Sequence, residues 1–180
     1  GMLFMFVFAA LSVRLYDLEK ILRLILDISP NCIFIKTGAG RYILANRALI
    51  NLYGLDSEKE ILGKTDIELA KIGKITNYEA LRCVEEDKNV LTNQKTKTFP
   101  INEFRNPGGV TYLYQVIKTP FNDFRKRSSI IGVSIDITQK KKIENELTKS
   151  EIINKMLIES APYGIFLVDK NGELLTCNHR

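Results

Sequence analysis

Histidine is almost absent from this chain: its 180 residues contain one, His179. No Ser/His/Asp set, phosphate-binding glycine loop or framed pair of carboxylates is present, so an enzyme is not expected within these residues. Cysteine is scarce too. Cys32, Cys83 and Cys177 stand far apart and match no metal-ligand spacing. That argues for a reduced, cytoplasmic setting, against a disulfide framework and against zinc or any other metal. Long apolar runs are also lacking. Met2 to Val13 is apolar except for Ser12, but twelve residues at about 1.5 Å each fall short of a roughly 30 Å bilayer core. No basic stretch precedes it, so neither a signal peptide nor a transmembrane span fits, and an N-terminal packing or dimer segment is expected. Gly1 ahead of Met2 reads as a tag-cleavage scar.

What is present is ordinary for a folded chain: 45% hydrophobic and 26% charged residues, with a formal charge of +5. The densest basic run, Lys140-Lys141-Lys142, is followed by Glu144, Glu146 and Glu151, which reads as a solvated helix face and not a nucleic-acid contact. The length suits one domain with flanking pieces.

The end of the chain repeats its beginning. An offset of 132 residues places Pro30 on Pro162, Ile33 on Ile165, Phe34 on Phe166, Gly40 on Gly172 and Asn46 on Asn178. Leu26 then falls on Ile158, Asp27 on Glu159, Ile35 on Leu167 and Ile43 on Leu175. This period is too long for a solenoid and suits a small domain plus a connector. The second copy opens at about Asn154 and breaks off at Arg180.

Local patterns give the order of elements. Leu15, Leu18, Leu22 and Ile25 step by three, four and three, a seam on one helix face that needs a partner. Ser29-Pro30 ends that helix. Cys32 to Lys36 and Arg41 to Ala45 form a hairpin around a glycine-bearing turn. Asn46 caps a short helix carrying Leu49, Leu52 and Tyr53, and Gly54 stops it. Ser57 with Glu60 makes a capping box for a second, and Asp66 is the expected cap of a third. A longer helix covers Asn77 to Thr92, with Leu81, Val84, Lys88 and Leu91 as its stripe. Lys95 to Phe104, Val110 to Lys118 and Ser129 to Ile137 follow as strands, and a helix starts at about Gln139.

This order, together with Asn46-Arg47-Ala48 through Tyr53-Gly54-Leu55, Ile61-Leu62-Gly63-Lys64 and Gly132 through Thr138, resembles the PAS domain, a sensory module of bacterial signalling proteins. Asp136-Ile137-Thr138 is similar to the family's exit motif, where the last strand passes into a signalling helix. The resemblance implies an α+β fold: a five-stranded antiparallel sheet with helices over one face, flanked by N- and C-terminal signalling helices. The expected division is an N-terminal segment and helix at 1–24, a PAS domain at 25–138, a linker helix at 139–153 and the start of a second PAS domain at 154–180. Apolar side chains of the last strand point to both faces, so the N-terminal helix, alone or with a partner chain, is expected to cover the outer one.

The resemblance also implies a pocket lined by Phe34, Lys36, Leu49, Val84, Lys88, Leu91, Tyr112, Tyr114, Val116 and Ser134. Haem is not expected, because His179 lies in the second copy. Photoactive flavin is not expected either, because Asn31-Cys32-Ile33 falls on the first strand and reads as a buried strand cysteine. Lys36 and Lys88 admit two readings: a cationic cavity that takes a small anionic ligand, or stems laid on apolar surface with exposed ammonium groups. The expected function is a sensory relay to a downstream output domain in the same chain, a histidine kinase or a cyclic-nucleotide signalling enzyme. The alternative is a ligand-free dimerisation module. A homodimer through Leu15, Leu18, Leu22 and Ile25 is expected in either case.

Overall fold

The computed structural model describes residues 2–123 and 125–178, apart from the side chains of 2–4, 6–10 and 176. The lone histidine lies outside the described residues. Two compact units divide at Ile137 and Thr138.

The first unit opens with helix α1 (Met2–Ile28), which runs on past the boundary expected at residue 24. Strands β1 (Cys32–Thr37) and β2 (Tyr42–Ala45) form the first hairpin. Helix α2 (Arg47–Leu52), a 3-10 turn (Glu58–Glu60), helix α3 (Asp66–Lys71) and helix α4 (Asn77–Asn93) come next. Strands β3 (Lys97–Arg105), β4 (Thr111–Asn122) and β5 (Ser128–Asp136) complete an antiparallel sheet in the order β2-β1-β5-β4-β3. The last strand in sequence therefore lies in the middle of the sheet, between β1 and β4.

Capping sets the short helices. The Asn46 side chain accepts from the Leu49 amide and ends the hairpin by starting α2, and Gly54 at φ +60° ends the turn that follows. Thr65, not Asp66, caps α3: its hydroxyl accepts from the Glu68 amide while Glu68 reaches back to the Thr65 amide at 2.8 Å. Asp66 is the first residue inside the helix and is buried, which frees its carboxylate for the interior. Thr76 and Glu79 repeat the same reciprocal cap on α4. Glu79 also accepts from the Arg105 amide at 2.8 Å, tying the start of α4 to the end of β3.

The core lies between the sheet and α2, α3 and α4, around Phe34, Tyr42, Leu49, Tyr53, Ile61, Leu69, Phe104 and Val116. Gly132 on β5 faces Phe34 on β1, and the ring takes the space of a side chain there. A Cβ built at Gly132 would come within 2.1 Å of the ring.

Helix α1 is anchored by polar contacts near its C-terminal end. Arg23 donates to both oxygens of Glu58, which also accepts from the Ala45 amide, and Asp27 accepts from the Arg47 amide at 2.8 Å. Its seam is uncovered: Leu15, Leu18, Leu22 and Ile25 are all more than half exposed. The expectation that this helix alone covers the outer sheet face fails, because Ile131 on that face is exposed and the helix packs instead beside β2 and the 3-10 turn.

The second unit holds helix α5 (Thr138–Ser160) and a hairpin of β6 (Phe166–Val168) and β7 (Leu174–Cys177). α5 runs without a break across the linker boundary expected at residue 153. At its end, Asn178 accepts from the Ile165 amide and donates to the carbonyls of Ile158 and Tyr163. Asn46 does the same in the first unit with Ile33, Leu26 and Asn31, each partner being 132 positions earlier. Among the described residues no helix is long and apolar enough to cross a membrane.

Candidate functional site

Strands β1 and β4 each turn a lysine inward. Lys36 follows Cys32 and Phe34 on the buried side of β1, and Lys118 follows Tyr114 and Val116 on the buried side of β4. Both side chains are 1% exposed. An uncompensated ammonium in such a place costs several kcal/mol, and the helices facing the sheet supply the counter-charges. Lys36 Nζ donates to Asp66 Oδ2 at 2.5 Å and to Asp87 Oδ2 at 3.0 Å. Lys118 Nζ donates to Asp87 Oδ1 at 2.5 Å and stands 3.0 Å from Glu86 Oε2.

The polar chain continues at both ends. The Tyr42 hydroxyl donates to Asp66 Oδ1 at 2.9 Å and lies 3.4 Å from the Tyr53 hydroxyl. Glu86 Oε1 accepts from Asn102 Nδ2 at 2.8 Å. Arg82 sits beside it, with Nε 3.8 Å from Glu86 Oε1, and its Nη2 donates to the Glu103 carbonyl. The cations Lys36, Lys118 and Arg82 thus face the carboxylates Asp66, Asp87 and Glu86, and the formal charges balance.

Burial alone would pull both ammonium groups toward neutrality. The carboxylates outweigh it, Asp66 and Asp87 at Lys36 and chiefly Asp87 at Lys118, so both lysines are held above the ordinary lysine value. Burial pushes the Asp87 carboxyl up, but Lys36 and Lys118 overcome that and hold it below the usual carboxylate range. Burial raises the phenols of Tyr42 and Tyr53 well above their ordinary value. It also pushes the Cys83 thiol up to about 11 and the Cys32 thiol up to about 12, so both stay protonated and unreactive near neutrality.

Beside this network is a cavity of about 50 Å³, room for a few waters or a very small ligand. Phe34, Tyr42, Tyr53, Phe104 and Tyr114 wall it with rings, and Lys36, Arg82, Glu86, Asn102, Lys118 and Ser134 give it polar groups. Of the residues expected to share a pocket, Phe34, Lys36, Leu49, Tyr114, Val116 and Ser134 come together here. The others do not. Val84, Lys88 and Leu91 line a separate groove beside Gly38 and Thr65, with Val84 and Lys88 exposed. Tyr112 faces a surface depression with Asn106 and Asn51.

The cationic Lys36/Lys88 pair is therefore corrected. Lys36 is paired from inside, Lys88 faces outward, and the second buried ammonium is Lys118. The cause is the rotation of α4: it buries Glu79, Ala80, Glu86, Asp87 and Val90 and leaves Leu81 and Val84 exposed. Burying two lysines on the sheet requires carboxylates opposite them, and that requirement overrides the apolar stripe. Lys118 was findable as the next inward position after Tyr114 and Val116. Glu86 and Asp87 were findable as the counter-ions that an inward Lys36 demands.

At the exit, the Ile137 amide donates to the Leu113 carbonyl at 2.8 Å. Strand β5 ends at Asp136 and α5 begins at Thr138, so a single residue joins them. Among the described residues no group of histidine, cysteine and carboxylate side chains could hold a metal ion.

Comparison with known proteins accords with this geometry. A PAS domain model matches residues 30–139, and a second PAS domain model matches residues 153–180. The methanogenesis regulatory histidine kinase FilI of Methanothrix harundinacea is 30% identical over 134 residues, which cover 74% of this chain and 14% of FilI. The virulence sensor protein BvgS of Bordetella bronchiseptica is 28% identical over 137 residues, 74% of this chain and 10% of BvgS. The chain thus spans a small part of the curated relatives it matches. Among solved structures, the PAS domain of Bordetella pertussis BvgS superimposes with a TM-score of 0.56 at 24% identity, covering 75% of this chain and 97% of that one. The PAS domain of an HTR-like protein from Haloarcula marismortui gives 0.55 at 20% identity, over 72% of this chain and 99% of that one. The sheet order, the helices over one face and the match across most of the first unit lead to one conclusion: this chain belongs to the PAS domain family.

Proposed function

We propose that the first unit is a sensory relay that reads the occupancy of its central cavity, or the state of a partner, and passes it through α5 to an output domain further along the same polypeptide. The carrying observation is the place of β5. It lies in the middle of the sheet, its Ser134 lines the cavity, its Gly132 lies against Phe34, and one residue after it the chain becomes helix. A change in cavity contents that alters the twist of β5 acts directly on the start of that helix. The FilI and BvgS matches favour a histidine kinase as the output; a cyclic-nucleotide signalling enzyme is the alternative. The cytoplasm is the proposed location, and PAS modules in tandem the proposed arrangement.

The small, internally paired cavity favours a second reading, a ligand-free dimerisation module joined through α1. One experiment separates the two. Inserting a single alanine after Ile137 rotates the downstream helix by about 100°. In the full-length protein the relay reading expects normal folding with output no longer following its stimulus. A module that only holds two chains together would keep its stimulus response.

A further inference from the structure

The first turns of α1 differ in kind from the seam that follows them. From Leu15 onward the apolar positions are interspersed with Asp17, Glu19, Lys20 and Arg23, so the helix has polar sides. Residues 2–13 hold no charged residue and one polar one, Ser12. Met5, Leu11 and Val13 are each more than half exposed, and at about 100° per residue they point to three different sides of the helix. A second helix covers one side of its neighbour and leaves the others in water. A helix apolar all round needs an apolar medium on every side, and outside a large protein core that medium is lipid.

The surroundings match a membrane surface. The apolar stretch ends at Arg14 and Tyr16, a cation and an exposed phenol of the kinds that settle at headgroup level. Near the other end of α1 the Leu26 carbonyl accepts from Asn46, just after β2, while the stretch from Tyr16 to Leu24 shares a groove with Ile43, Leu44 and Leu62. The helix therefore runs beside β2 toward the β1–β2 turn, and its first turns continue past Tyr16 in that direction. In that turn the Gly38 amide donates to the Ser128 carbonyl at 2.7 Å, which brings the β4–β5 loop, with exposed Arg125, Lys126 and Arg127, to the same end. Against these cations the loop sets one carboxylate, Asp123.

We propose that residues 2–13 enter one leaflet of an anionic phospholipid bilayer, with Arg125, Lys126 and Arg127 facing its headgroups, so that the first unit is docked on the membrane surface. At about 1.5 Å per residue the segment is long enough to fill one leaflet of a roughly 30 Å hydrocarbon core. This docking is independent of what the central cavity holds.

The test is flotation of the 180-residue chain with vesicles of phosphatidylcholine, with and without phosphatidylglycerol. The chain has no tryptophan, so Met5→Trp gives a single fluorescent reporter. The chain is expected to float with the phosphatidylglycerol vesicles and to bind the neutral ones more weakly. The Met5→Trp emission then moves to shorter wavelength and is quenched by lipids brominated on their acyl chains. Leu11→Asp lowers binding roughly a hundredfold, as a carboxylate inside the hydrocarbon implies. Arg125→Gln with Lys126→Gln lowers binding to the anionic vesicles roughly twentyfold and leaves binding to the neutral ones unchanged. Equal binding to both kinds of vesicle overturns the anionic surface, and binding that survives Leu11→Asp overturns the insertion. A chain that floats with neither overturns the proposal outright; if Leu11→Asp then turns dimers into monomers, the segment is covered by a second copy. The comparison of vesicles with the unaltered chain and the Met5→Trp signal decide the matter even if Leu11→Asp does not fold.

Discussion

Lys36 and Asp66 meet at 2.5 Å, each with a side chain 1% exposed, one from β1 and the other from the first turn of α3. The pair fixes how the helical layer sits on the sheet, because neither charge has water to turn to.

Removing one partner should therefore be expensive. Lys36→Met leaves Asp66 and Asp87 short of a counter-ion and should cost about 3–5 kcal/mol, as breaking a buried pair does. Urea unfolding measures it. A loss below 1 kcal/mol would mean that the carboxylates take up a proton or find water, and that the pair does not organise the interior.

Stability should have a plateau with two edges. Asp87 is held below its ordinary value of 3.8, so its contribution is present above that value and is lost as pH falls through the lower folded value. Lys36 and Lys118 are held above 10.5, and Tyr42 and Tyr53 above 10.0. Their contributions are present below those values and are lost as pH rises through the higher folded ones. Melting temperature against pH should stay flat through neutrality, then fall on the acid side below about 3.8 and on the alkaline side above about 9, where the unfolded-state thiols of Cys32 and Cys83 are the first to ionise. A steep change between pH 6 and 8 would contradict this assignment of charges.

The contact between Phe34 and Gly132 yields a paired prediction. Gly132→Ala should cost about 1–3 kcal/mol through overpacking, since the ring lies where the methyl must go. In Phe34→Leu the same change should cost markedly less, and the double-mutant cycle reports the coupling. Additive losses would show that Gly132 is needed for another reason.

The exposed seam on α1 predicts self-association. Leu18→Glu with Leu22→Glu should convert dimers to monomers in light scattering and remove the concentration dependence of the melting temperature while leaving the chain folded, since both positions are more than half exposed in the single chain. A monomeric unaltered chain would refute a dimer through this face.

Much of the fold was legible because local signals agreed with each other. Asn46, the glycine turns and the alternation of the strands place the elements within a few residues, and the offset of 132 pairs Asn46 with Asn178, two residues that make equivalent hydrogen bonds in their own units. The site was read less well. Periodicity picked out the apolar stripe of Leu81, Val84 and Leu91, but α4 turns Glu86 and Asp87 inward because Lys36 and Lys118 are already there. That is a tertiary demand: Lys36 and Asp87 are 51 positions apart, and no window along the helix contains the lysine that orients it.

The relay through β5 is tested most directly by hydrogen exchange at the start of α5. The 180-residue chain would be compared with its Gly132→Ala form, in which β5 is pushed against Phe34, under conditions where both are folded. The relay predicts altered protection of the amides at 138–146, beyond the altered strand itself. Protection there that is identical in the two proteins, despite a change in β5, would contradict it.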